Sequence, residues 1–260
     1  MNVLETTLLG IIQGATEFLP VSSSGHIYLL EEFFNLENSL SLALYLHVGT
    51  LLAVFVYYRK DIIALVVGFV TMLGTREVTR PGKEAWLLSL ATLSTFPTGF
   101  LIYLFISTNI TLFLVGMTLI MTAFLIVTSE YLARNNTNYR SLDTKRALIL
   151  GLVQGMSVLP GISRSGLTIS TLLGLGIARE QAARLSFLLS VPTIIGARSY
   201  LALTEGFTID PIVALVGILT SFVVGYAAIA WMTRLIQGAW LWFALYCFIL
   251  GIIVSLYSVL

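Results

Sequence analysis

Apolar residues in this chain fall in long unbroken blocks, without the period of 2 or 3.6 that marks half-buried strands and surface helices. Ala85–Ile106, Ile110–Ser129, Pro211–Thr233 and Ala239–Leu260 contain no Asp, Glu, Lys or Arg. Each reaches the ~20 residues that a helix needs to cross ~30 Å of hydrocarbon. With two further segments, the predicted spans are 41–58, 85–106, 110–133, 185–203, 211–233 and 239–259. Two other apolar regions are interrupted: 2–34 at Pro20-Val21-Ser22-Ser23-Ser24-Gly25, and 147–178 at Pro160-Gly161-Ile162-Ser163-Arg164-Ser165-Gly166. Proline, glycine and serine end one helix and cap the next. The pieces that follow are at most ~18 Å long as helices, too short to cross. Both regions therefore read as re-entrant helix–loop–helix hairpins. Residues 62–73 are apolar but short, between Arg59-Lys60-Asp61 and the Arg76–Lys83 loop. They predict a cytoplasmic interfacial or core-lining helix.

Composition agrees with the pattern: 57% of residues are hydrophobic and 10% charged, against about 25% charged in a soluble domain. The expected class is an all-α integral membrane protein, one polytopic domain over 1–260. A net charge of +1 offers no basic surface for nucleic acid, and the single cysteine, Cys247, cannot form an intramolecular disulfide. Glu5 and no basic residue precedes the first apolar stretch, which predicts mature structure rather than a cleaved leader. Charge also orients the chain. With six crossings, all of the fourteen Lys and Arg except Arg164 and Arg198 fall on one face, opposite Glu205 and Asp210. Positive residues stay inside, so that face is expected to be cytoplasmic, with both ends of the chain outside.

The two broken regions resemble each other. A shift of 141 overlays Gln13-Gly14 on Gln154-Gly155, Ser22 on Ser163, and Ser24-Gly25 on Ser165-Gly166. Each is followed by three predicted crossings, dividing the chain at about 1–133 and 143–260. Three is odd, so the second copy enters from the opposite face, the inverted-repeat plan of many transporters. Irregular backbone is tolerated at membrane depth only where it is buried or lines a wet cavity. The two loop tips are thus expected to share one polar site.

Glu17, His26 and Arg164 lie in or beside those tips, among Ser22, Ser23, Ser24, Ser163, Ser165 and Thr168. An ionisable group at that depth is a functional candidate by default. Helices starting near Ser24 and Ser165 would aim N–H groups at the site, which favours phosphate, and the Arg164 fork suits phosphate oxygens. Glu17 and His26 would move protons, or Glu17 would bind a metal. Blander readings stand beside these: serines as plain caps, Arg164 as a structural partner of Glu17, His26 as a satisfied bundle histidine. His47 and Arg198 lie inside spans, where a structural role is as good a reading as a functional one. Glu130, Glu180 and Asp143 are expected at helix ends or in loops.

The stretch Gln13-Gly-Ala-Thr-Glu17-Phe-Leu-Pro20-Val-Ser-Ser-Ser-Gly-His26 resembles the (Glu/Gln)-x-x-x-Glu region of the undecaprenyl-pyrophosphate phosphatase family, also known for bacitracin resistance. Pro160-Gly-Ile-Ser-Arg-Ser-Gly-Leu-Thr168 resembles that family's Pro-Gly-x-Ser-Arg-Ser-x-x-Thr signature. Leu46–Ala53 and Phe187–Pro192 are similar to it too. The resemblance implies catalytic roles for Glu17, Ser23, His26 and Arg164. Gln13, Ser22, Ser24, Gly25, Ser163, Ser165, Gly166 and Thr168 would bind the substrate. It further implies a divalent cation (magnesium or calcium), a polyprenyl pyrophosphate substrate in a multi-pass protein of the plasma (inner) membrane, a site opening outward and the option of a homodimer. Gln13 stands where many members have Glu, and Ser24 where some have Thr. A lipid-phosphate transporter is the main rival. The acid-phosphatase-like lipid phosphatases are excluded, because no histidine follows Arg164.

Overall fold

Asn2 and Glu5 start the first helix by capping each other. The Asn2 side chain accepts from the Glu5 amide, and the Glu5 carboxylate accepts from the Asn2 amide at 2.9 Å. Glu5 thus has a helix-starting role. The computed structural model describes residues 2–34, 39–106, 110–134, 139–205 and 209–260. Every regular element among them is helical: α1 (Val3–Phe18), α2 (Ser23–Phe34), α3 (Ser39–Tyr57), α4 (Arg59–Thr75), α5 (Arg80–Ile106), α6 (Leu112–Arg134), α7 (Thr144–Gln154, continued by a 3-10 turn at Gly155–Val158), α8 (Arg164–Gly174), α9 (Arg179–Glu205), α10 (Pro211–Leu235) and α11 (Trp240–Tyr257).

Among the described residues, α5, α6, α10 and α11 are long and apolar enough to cross a membrane. The chain is an all-helical membrane protein. In α3 the apolar stretch Leu42–Tyr57 is shorter, and α9 carries Arg179, Glu180 and Arg184 in its opening turns. The structure also lengthens α4 to 17 residues and starts α5 at Arg80, inside the expected loop. Arg76 adopts the left-handed conformation that ends α4. One guanidinium, that of Arg184, bonds Asp61 in the first turn of α4 and Glu84, the fifth residue of α5, both at 2.6 Å. The start of α5 packs against the middle of α4, where Gly82 meets Gly68. The apolar face of α4, with Ile63, Val66, Val67, Val70 and Leu73, points out of the protein.

Helix pairing is reciprocal. Hairpin arm α1 packs on α10, and arm α7 packs on α5. Both contacts use glycines four apart, which let backbones approach closely. Gly10 and Gly14 meet Gly217 and Ser221 of α10, and Gly151 and Gly155 meet Ala91, Thr95 and Gly99 of α5. These glycine pairs are themselves related by the shift of 141. Between the hairpins, α6 packs along α11 and also touches α8.

Candidate active site

The two broken regions meet tip to tip. A Cβ on Gly25 would lie 3.1 Å from the Gly161 Cα, Ser165 Oγ donates to the Leu19 carbonyl at 3.0 Å, and Pro20 lies against Gly166. Each tip is closed by a serine cap. Ser22 Oγ accepts from the Gly25 amide at 3.2 Å, and Ser163 Oγ from the Gly166 amide at 3.1 Å. Among the described residues, no acceptor meets the amides of Ser23, Ser24, Arg164 and Ser165. They are the free donors expected at helix starts.

Buried carbonyls of the second tip need partners, and α6 supplies them. Thr118 donates to the Pro160 carbonyl, and Thr122 donates to that of Gly161 at 3.1 Å and accepts from the Ser163 amide at 3.2 Å. Neither threonine figured among the sequence candidates. Their spacing of four on a spanning helix was the available signal.

Glu17, near the end of α1, is the centre of the site. Its Oε1 accepts from Arg164 at 2.7 Å. Its Oε2 accepts from Ser23 Oγ at 2.6 Å and from Gln13 Nε2 at 3.0 Å. His47 Nε2 lies 3.7 Å from the same oxygen, while His47 Nδ1 donates to the Ala43 carbonyl at 2.6 Å. The carboxylate is buried, so each of these donors offsets a desolvation cost that water would otherwise cover. Arg164 is steadied by a 3.4 Å bond from its other terminal nitrogen to the Ser186 carbonyl. Thr168 shares a 2.6 Å hydrogen bond with Ser186, and so acts behind Arg164. The site is open at the first tip, where Ser24 is exposed and Ser23 half-buried; Ser163 and Ser165 are buried.

The structure thus brings Gln13, Glu17, Ser23 and Arg164 into one cluster. The reading of Arg164 as a partner of Glu17 and its reading as a phosphate fork both survive, because one guanidinium serves each. His26 takes other partners: its Nδ1 bonds the Ser22 carbonyl at 2.7 Å and its Nε2 the Tyr246 hydroxyl at 2.6 Å. Tyr246 and Ser186 were not candidates, and no spacing in the sequence pointed to them. His47, open to either role from the sequence, lies beside Glu17. The Arg198 side chain lies outside the described residues. Glu130 is buried, bridging Arg134 at 2.7 Å and Arg179 at 2.8 Å, and Asp143 caps α7.

Among the described residues no three His, Cys, Asp or Glu side chains come together as cation ligands. Both Glu17 oxygens already face donors, an arginine among them. This donor set does not fit a resident divalent cation, which takes carboxylate and water oxygens.

The sequence profile described as "Bacitracin resistance protein BacA" matches residues 6–253. The chain belongs to this family. It is 40% identical to the undecaprenyl-diphosphatase of Methanosphaera stadtmanae, covering 100% of this chain and 99% of that one. It is 42% identical to the enzyme of the same name from Desulfosudis oleivorans, over 96% and 97% of the two chains. The Methanobrevibacter smithii enzyme, 36% identical, is likewise covered almost end to end. Family membership extends across both loop tips, so the Glu17 cluster lies wholly within the matched region.

Proposed function

We propose that this chain is an undecaprenyl-diphosphatase, releasing inorganic phosphate from undecaprenyl pyrophosphate and returning undecaprenyl phosphate for cell-wall synthesis. The observation that carries the reading is the Glu17 carboxylate held between a hydroxyl at 2.6 Å and a guanidinium at 2.7 Å, in a member of this family.

In this reading the pyrophosphate enters at the first tip and takes the Arg164 fork and the free amides of Ser23, Ser24, Arg164 and Ser165. That neutralises charge as the terminal P–O bond breaks. Drawing Arg164 onto phosphate frees Glu17 to take the Ser23 proton. Ser23 Oγ attacks the terminal phosphorus, and undecaprenyl phosphate leaves. Glu17 passes that proton to the departing undecaprenyl phosphate, then takes one from the water that splits the phosphoserine and hands it to Ser23 Oγ, restoring the hydroxyl. Ser22 and Ser163 hold the tips in shape, Gly25 and Gly166 allow their approach, and Gln13 orients Glu17. Any magnesium or calcium ion enters on the pyrophosphate as part of the substrate, and no step runs through it.

The setting proposed is six crossings with two re-entrant hairpins, in inverted halves at about 1–133 and 143–260, within the plasma membrane. Supporting it are the reciprocal pairing of α1 with α10 and α7 with α5, and the Arg184 guanidinium that holds Asp61 of α4 and Glu84 of α5 at one level. The positive-inside rule makes that level cytoplasmic and has the site open outward.

Phosphate release from undecaprenyl pyrophosphate by the purified protein in detergent, with no gradient present, tests the activity. A chelator arm reads the cation. Release must depend on Glu17 and Arg164. Lipid-phosphate movement in vesicles without release would make the chain a carrier.

A further inference from the structure

His26 and Tyr246 are 220 residues apart in sequence, yet their ring planes are nearly parallel (7°, centroids 5.7 Å apart) and the two are joined by a 2.6 Å hydrogen bond. The partners decide who donates. A carbonyl oxygen only accepts, so the proton of a neutral His26 sits on Nδ1 and is given to the Ser22 carbonyl. Nε2 is then an in-plane acceptor, and the Tyr246 hydroxyl donates to it. Ser22 is no ordinary residue. Its φ of 70° lies in the left-handed region, which costs a non-glycine residue about 1–2 kcal/mol. His26 grips its carbonyl twice, through Nδ1 at 2.7 Å and through its backbone amide at 3.2 Å. The next residue is Ser23, whose hydroxyl meets Glu17. A second contact holds α11 at this tip: Cys247 Sγ donates to the Pro20 carbonyl at 3.5 Å.

We infer that Tyr246 is a positioning residue, which acts through His26 to hold the strained Ser22 backbone and so aim Ser23 at Glu17. The chain of bonds runs from the Tyr246 hydroxyl to His26 Nε2, and from Nδ1–H to the Ser22 carbonyl. His26 is accordingly a strut whose two nitrogens are both committed. The hydroxyl suits this role because it both donates and accepts, keeping its hold on the ring if Nε2 takes up a proton. Tyr246 is about half exposed, so its hydroxyl is not there to satisfy a sealed core.

The kinetic part of the test rests on the phosphatase reading; the spectroscopic part does not. Losing one such hydrogen bond should lower kcat about tenfold in Tyr246→Phe, with KM within about twofold. In a His26→Ala background the same substitution should do nothing further, because the strut is already gone. Nitrogen-15 spectra of histidine-labelled parent protein, assigned by difference from His26→Ala, should place the His26 proton on Nδ1. The Nε2 resonance should move in Tyr246→Phe. A Tyr246→Phe enzyme with parental kcat, an equal loss in both backgrounds, or a His26 proton on Nε2 would each overturn the inference. If Tyr246→Phe does not fold, the tautomer in the parent decides. If the parent releases no phosphate, the phosphatase reading fails, and the spectra still report on the strut.

Discussion

At the first loop tip Ser22 caps the Gly25 amide, with its hydroxyl 3.3 Å from that of Ser24. At the second, Ser163 caps the Gly166 amide with its hydroxyl 3.2 Å from that of Ser165. The shift of 141 that aligns the sequences also aligns these hydrogen bonds. It further superposes Ser23 on Arg164, each the first residue of its helix, and both of them bond the one Glu17 carboxylate. Position 158, the counterpart of Glu17, is valine. The common frame thus supplies two capped helix starts aimed at one point, and three departures from the repeat supply the groups of the proposed chemistry: a carboxylate in one half, a hydroxyl and a guanidinium facing it.

The tips differ in how they are held. In the second, positive φ falls on Gly161, whose carbonyl and that of Pro160 are bolted to α6 by Thr122 and Thr118. In the first it falls on Ser22, and the hold comes through side chains of α2 and α11. The second tip is buried and glycine-relaxed, a fixed platform for Arg164. The first is strained and open, the side at which the pyrophosphate is proposed to enter.

Removing the carboxylate tests this division most severely. Glu17→Gln keeps the shape but cannot take a proton, and general-base loss costs roughly 10²–10⁴ in rate. Turnover of the purified variant should fall by that much while its thermal unfolding stays cooperative. Gln13→Glu should be tolerated and Gln13→Ala should be intermediate, because Gln13 only orients its neighbour. A Glu17→Gln enzyme with near-parental turnover would make the carboxylate structural.

Arg164→Ala should lose roughly 10²–10³ in rate, the usual cost of one transition-state donor. Arg164→Lys should regain little of it, since an ammonium cannot fork between two oxygens. Recovery by lysine to within a few-fold would reduce the second tip to a source of charge.

The smallest effects are on stability, and they separate the tips. A side chain at Gly161 would collide with Thr118 Oγ1 and the Val115 carbonyl and would have to adopt positive φ. Gly161→Ala should therefore destabilise by about 1–3 kcal/mol, read as a lower unfolding midpoint in detergent. Ser22→Gly should leave that midpoint unchanged or higher, since glycine relieves the strain and costs only a few tenths as a cap. Its turnover should nevertheless fall, because a relaxed tip aims Ser23 less well. Equal destabilisation by both would mean that strain is not partitioned between the tips.

Much of this was legible in order along the chain. Block length announced the membrane, because crossing hydrocarbon requires a run of apolar residues whatever packs against it. Pro20–Gly25 and Pro160–Gly166 announced the breaks and their caps, because a cap bonds an amide two or three residues away. Gln13 and Glu17 shared a face because they lie four apart on one helix. What only the tertiary structure decided is who meets whom across helices. Arg164 on the Glu17 carboxylate, His47 beside it, Tyr246 on His26 and the threonines of α6 under the second tip are all long-range pairs. Such pairs depend on how each helix is turned about its axis. A helix that is apolar on nearly every side, such as α11, carries no polar stripe to say which face turns inward. The rotation is left to the packing of small residues such as Gly116 against Gly251.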